Sequence, residues 1–155
     1  MLFLLFYIGD DRYVVDARKV IEVVPLVKLS NFPNTASYVA GLCNYRAVPV
    51  PVIDVRQLLD EIPSKPVMST RILLVNYTSY SGQKHHLGLI VEHATETISL
   101  AVERFHRTAS KTSKDNYVSN MMTDEKGIIQ WVDVDHLLSK HDCDVLYGSS
   151  AEEDE

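Results

Sequence analysis

The sequence predicts an all-β protein, and three observations carry that expectation. Its apolar runs are short and rich in β-branched residues, and Gly, Pro, Asn or Asp punctuates them at intervals. Long stretches with helical periodicity are scarce. One eight-residue phrase occurs twice: "VIDVRQLL" at 52–59 is answered by "WVDVDHLL" at 131–138, with an apolar pair, Asp, Val, two polar residues and Leu-Leu in the same order. This echo suggests a duplicated β module.

The elements follow in chain order. "LFLLFYI" reads as a strand from Leu2 to Ile8; "MLFLLFYIGDDRYVV" lacks the basic start and small-residue cleavage site of a secretory leader. Further strands are expected near Tyr13–Asp16, Ile21–Val24, Tyr38–Tyr45, Val48–Ile53, Ile72–Tyr77, His86–Val91, Ala94–Leu100 and Ile128–Val132. In the Ile21 strand, alternation predicts that Ile21 and Val23 fill a core while Val20 and Glu22 share the outer face. Pro49 and Pro51 remove two N–H groups from the same side of the Val48–Ile53 strand, which predicts an edge strand or a strand crossing a bulge. Asp54 and Asp133 each follow an apolar pair and precede a short helical turn. They are expected to cap those turns rather than to act as an acid–base pair. Leu58-Leu59 and Leu137-Leu138 should then close the mouths of their barrels.

The segment "DEIPSKPVMST" (60–70), with two prolines and small polar residues, reads as a linker between two halves. "RTASKTSKDN" (107–116) reads as a mobile loop. The acidic end, residues 148–155, reads as a disordered tail solvated by its own charge, leaving residues 1–147 as one domain.

Composition narrows function. A chain of 155 residues with a net charge of -6 has no general basic face for nucleic acid or for an anionic membrane. No run approaches the roughly 20 apolar residues of a spanning helix, so no direct membrane insertion is expected. Cys43 and Cys143 have no framework spacing and read as free thiols in a reducing cytoplasm. The six histidines show no H-E-x-x-H and no Cys-x-x-Cys companion, so neither a metal nor a cofactor is expected. No Gly-rich phosphate loop and no G-x-S-x-G elbow occurs, and Ser, His and Asp show no nucleophilic arrangement, so the chain does not read as an enzyme. Trp131 reads first as a core or inter-barrel side chain and, if exposed, as an interface anchor.

The stretch "VAGLCNYRAVPVPVIDVRQLL" resembles the signature of the CheW-like family of chemosensory coupling proteins, close to G-x-x-N-L-R-G-x-x-x-P-x-x-D-L-R. Gly41, Asn44, Arg46, Pro51, Asp54 and Arg56 match in register. "FYIGDDRYVVDARKVIEVV", "RILLVNY", "LGLIVEHATE" and "GIIQWVDVDHLL" resemble further family segments, so the likeness spans roughly residues 3–140. Three places depart from the pattern. Tyr45 stands for Leu, Ala47 stands for Gly, and "VSNMMTDEKG" replaces a Gly-containing segment. Ala resists the positive φ that Gly tolerates, so an altered turn is expected at Ala47.

The resemblance implies two packed SH3-like five-stranded β-barrel subdomains with short helices. It also implies a non-catalytic adaptor between the cytoplasmic tip of a methyl-accepting chemoreceptor and the regulatory domain of a CheA-type histidine kinase. Receptor contact is implied for Val20, Glu22 and Arg46. Gly41, Asn44, Pro51, Asp54 and Asp133 are motif or structural residues, and no residues are assigned to the kinase. Arg46 suits such a contact because its guanidinium offers five donors in a rigid fork. The alternative for Arg46 is an internal salt bridge to Asp54 or Glu22. The alternative for the whole protein is a double-barrel module that binds a small ligand or peptide outside any kinase complex.

Overall fold

The computed structural model describes residues 1–107 and 120–148. The loop expected at 107–116 lies outside the described residues beyond Arg107, and so does the acidic tail from 149 onward. Eleven strands are described: β1 (Leu2–Ile8), β2 (Asp11–Asp16), β3 (Val20–Pro25), β4 (Val39–Tyr45), β5 (Val48–Asp54), β6 (Arg71–Thr78), β7 (Lys84–Val91), β8 (His93–Ser99), β9 (His106–Arg107), β10 (Asn120–Asp124) and β11 (Gly127–Trp131). Helix α1 (Val55–Asp60) follows β5, and α2 (Lys140–Tyr147) follows a short 3-10 turn at Val134–His136.

The strands form two sheets, as expected for an all-β protein of two subdomains. One has the order β3-β6-β7-β5-β4; the other has the order β8-β1-β2-β11-β10-β9, in which β9 adds two residues to five longer strands. Each sheet contains one parallel pair, β5 with β7 and β11 with β2, so the two strands that carry the repeated phrase occupy equivalent places. The chain crosses between sheets at a 3-10 turn, Ala17–Lys19, and again at Glu92, the single residue between β7 and β8. Residues 61–70 instead join α1 to β6 within one sheet. The division expected at 60–70 is therefore not where the sheets divide. The Pro and Ser content of that segment marks an intra-sheet connection just as well as a linker.

Three apolar layers explain why β1, β6 and β7 read as near-continuous hydrophobic runs. Leu4, Phe6 and Ile8 of β1 face Leu73, Val75 and Tyr77 of β6 across a central core shared by the two sheets. The alternate residues Phe3 and Leu5 point into the interior of the six-stranded sheet, and Ile72 and Leu74 into that of the five-stranded sheet. Both echo segments feed the central core. Leu137 and Leu138 are buried in it, and Leu58 and Leu59 pack on it, so the two Leu-Leu pairs seal one shared layer rather than two separate barrel mouths.

Glu92, at the crossing, ties this junction together. Its carboxylate accepts from both the Gly9 N–H (2.6 Å) and the Lys65 N–H (3.1 Å), and it pairs with the Arg56 guanidinium at 2.7 Å. The β1–β2 turn, α1 and the 61–70 connection thus converge on one carboxylate. Burial of Glu92 opposes its ionisation, but these donors hold its pKa below the ordinary carboxylate value.

The prolines of β5 find a simple explanation. A two-residue turn closes Tyr45 against Val48, so the mutually bonded pairs with β4 fall at Val48, Val50 and Val52. Pro49 and Pro51 take the alternate positions, where an N–H would point away from β4. The pairing of β5 with β7 begins only at Val52. The prolines thus lie in the half of β5 that has one neighbour, while the other half is central in the sheet.

One expectation about β3 is reversed. The register slips between Val20 and Glu22, and this bulge turns the strand. Val20 packs on the central core and Val24 on the core of the five-stranded sheet, whereas Ile21 and Val23 are exposed. Alternation counted from the sequence cannot register an inserted residue.

Candidate functional site

The five-stranded sheet closes on itself beside β4. Ser30 and Leu42 exchange backbone hydrogen bonds of 2.9 and 2.8 Å. Gly41 makes that approach possible: its φ is +146°, and a Cβ there would lie 2.4 Å from the Ser30 carbonyl oxygen. From this closure β4 runs to the turn Arg46-Ala47, which returns the chain into β5.

Arg46 and Ala47 both take positive φ, 50° and 67°, as a two-residue turn between twisted strands demands. The Asn44 side-chain oxygen accepts from the Ala47 N–H at 3.0 Å and fixes the loop. Ala47 adopts the left-handed conformation that Gly tolerates and bears its strain, about 1 kcal/mol. Asn44 thus explains its own place in the motif.

Arg46 is exposed at the turn's apex. Among the described residues no carboxylate pairs with it, neither Asp54 nor Glu22. Its guanidinium carbon instead lies 5.1 Å from the centroid of the Tyr45 ring. The Tyr45 hydroxyl lies beside the carboxylate of Glu22, which is exposed on β3. Loss of solvent and the nearby Glu22 carboxylate raise the Tyr45 pKa above its ordinary value, against the pull of Arg46. The other edge of the Tyr45 ring meets His86 of β7, with centroids 6.1 Å apart.

The structure thus gathers Glu22, Tyr45 and Arg46 and sets Val20 on the opposite side of β3. Tyr45 was named in the sequence only as a departure from a motif. A hydroxyl-bearing ring in place of Leu, directly before Arg46, is the available signal. Asp54 and Asp133 sit away from this cluster. Asp54 caps α1 and accepts from the Ser64 N–H (2.8 Å) and hydroxyl (2.6 Å). Asp133 caps the Val134–His136 turn and contacts His136 Nδ1 at 2.8 Å. Trp131 packs edge-on against Phe3, at a centroid distance of 5.0 Å, and beside Phe105. Cys43 and Cys143 are buried free thiols. Among the described residues no three His, Cys, Asp or Glu side chains come together as a metal-ligand set, and no helix is long and apolar enough to cross a membrane.

Fold and site define a two-subdomain β module that displays charged side chains from a hairpin turn and the edge strand beside it. The model of the CheW-like domain matches residues 2–142, and the chain belongs to this family. Similar proteins include the chemotaxis protein CheW of Klebsiella aerogenes, 25% identical over 142 residues, which span 90% of this chain and 82% of that protein. The chemotaxis protein CheW of Bacillus subtilis is 24% identical over 139 residues, covering 88% of this chain and 86% of its own. Among solved structures, the scaffolding protein TtCheW of Thermoanaerobacter tengcongensis superposes with a TM-score of 0.76 at 22% identity. That match covers 96% of this chain and 90% of the other.

Proposed function

We propose that this protein is a non-catalytic chemotaxis adaptor that couples chemoreceptors to a CheA-type histidine kinase. The observation that carries this reading is the family match across residues 2–142, within which the Asn44 side chain fixes the Arg46-Ala47 turn. Two surfaces on one double-barrel body would let receptor and kinase be held together, so that receptor state biases the kinase's conformational equilibrium. The shared central core supports such rigidity.

At finer grain, the receptor's cytoplasmic tip meets the turn at Arg46 and the neighbouring Glu22. Val20 contributes by seating β3 on the core rather than by direct contact. The kinase binds through its regulatory domain at residues still to be assigned. Residues 1–147 form the working unit, and the adaptor acts in the cytoplasm at the membrane-borne receptor array. Gly41, Asn44, Pro51, Asp54 and Asp133 serve the shape of the body.

Co-sedimentation tests the reading. The full chain, mixed with a CheA-type kinase and receptor cytoplasmic fragments assembled on vesicles, should pellet with both and raise kinase autophosphorylation. A double-barrel module that binds only a small ligand or peptide would stay in the supernatant and leave the kinase unchanged.

A further inference from the structure

One side chain, Tyr45, lies between the exposed cation Arg46 at the turn and the exposed carboxylate Glu22 on β3. Tyr45 lies on β4 directly before the turn, with its side chain partly packed on the core of Cys43, Val50, Val52, Ile72, Leu74 and Ile90. Its position is therefore set by packing, whereas Arg46 and Glu22 are exposed side chains that would otherwise sample many rotamers. The ring lies under the guanidinium at 5.1 Å, and the hydroxyl lies beside the Glu22 carboxylate, within reach of a hydrogen bond. His86 braces the ring from β7. The Leu that the family motif places here could pack on the same core, but it could neither stack under a guanidinium nor bond a carboxylate.

We propose that Tyr45 is the positioning and specificity-determining residue of the receptor contact, holding Arg46 through its ring and Glu22 through its hydroxyl so that both charges meet the partner in one fixed geometry. This rests on the reading of Arg46 as the receptor contact. The gain is one of preorganisation: two flexible side chains are ordered before binding, so less freedom is lost when the receptor arrives. The receptor surface that fits must offer an acceptor to the outer edge of the guanidinium, because the ring covers one of its faces.

The test uses the full chain and a soluble fragment carrying the helical hairpin of a chemoreceptor's cytoplasmic tip, titrated by calorimetry. Arg46→Ala should weaken binding. Tyr45→Leu should weaken it roughly tenfold, and Tyr45→Phe, which keeps the ring but loses the hydroxyl, roughly threefold. In an Arg46→Ala background the cost of Tyr45→Leu should shrink to roughly threefold, since only the Glu22 arm remains to be lost. In the free protein, the Arg46 δ-methylene protons should show an upfield ring-current shift that survives Tyr45→Phe and vanishes in Tyr45→Leu.

The proposal is overturned if Tyr45→Leu binds as the wild type does, or if its cost is the same with and without Arg46 while the Arg46 proton shifts stay unchanged. If Arg46→Ala itself binds normally, the reading of the site as a receptor contact falls first and takes this inference with it. Should Tyr45→Leu melt well below the wild type, Tyr45→Phe decides: wild-type binding by that variant rejects the hydroxyl's role, and a threefold loss supports it.

Discussion

Strands β5 and β11 end in nearly the same eight residues and hold equivalent places in their sheets, but the two copies do different structural work. Asp54 is half-buried and begins a six-residue helix, and it also ties down Ser64 of the following connection. Asp133 is 51% exposed and starts only a three-residue 3-10 turn, after which Ser139 caps a separate helix. The same phrase delivers Leu-Leu to one central core in both cases. What differs is how far each copy organises its surroundings, and the copy with the greater reach lies in the sheet that carries Arg46.

Several substitutions test this contrast. The largest effect is expected at the closure of the five-stranded sheet. Gly41→Ala forces a Cβ against the Ser30 carbonyl at a backbone angle that L-residues resist, and should cost about 3 kcal/mol or more in a denaturant melt. If that variant is as stable as the wild type, the sheet does not depend on the Ser30–Leu42 approach.

Asp54→Ala comes next, at about 2 kcal/mol, because it removes a cap and leaves the Ser64 N–H without its acceptor. Asp133→Ala should cost only about 0.5 kcal/mol, its cap being exposed. Equal costs would mean that the two copies are equivalent after all.

The six-stranded sheet offers a pH signature of its own. Arg12, buried in β2, grips Asp124 at the β10–β11 turn and also donates to the Gly127 carbonyl at 3.0 Å. The bond from Arg12 holds the Asp124 carboxyl at about 2, below its ordinary 3.8. A depressed folded-state pKa means stability that is fully present above the unfolded value and is lost as pH falls from about 3.8 through about 2. Thermal melts over that interval should therefore show a loss of about 1 kcal/mol that Asp124→Asn removes. An unchanged acid slope in that variant would contradict the role given to this ion pair.

One effect of similar small size has the opposite sign. Ala47→Gly relieves the left-handed strain of the turn and should stabilise the protein by about 0.5–1 kcal/mol, a rise in melting temperature of a few degrees. Destabilisation would mean that Ala47 makes contacts beyond the turn.

Much of the architecture was legible in the sequence because burial on both faces leaves continuous apolar runs. β1 is found where "LFLLFYI" stands, and β6 and β7 differ from expectation only at their ends. β10 was not anticipated, since "NMMTD" has polar ends and no β-branched run, and its order comes from pairing with β11. Helix α2 was missed too. Only Cys143 and Leu146 of "KHDCDVLY" are buried, which is too few to mark an apolar stripe. At the site, Arg46 and Asn44 could be read from the motif. The reversal of β3 arises from a bulge, and the link through Tyr45 arises from sheet closure, which brings β3 to β4. Neither has a local periodicity to betray it.

If the exposed turn at Arg46 transmits receptor state to the kinase, reversing its charge must break the coupling. The most direct measurement is receptor-stimulated autophosphorylation of a CheA-type kinase reconstituted with receptor fragments and the Arg46→Glu variant. Receptor-dependent stimulation should fall by at least about tenfold while circular dichroism and melting temperature stay near the wild type. Normal stimulation by a well-folded Arg46→Glu protein, or loss of folding in that variant, would contradict the assignment.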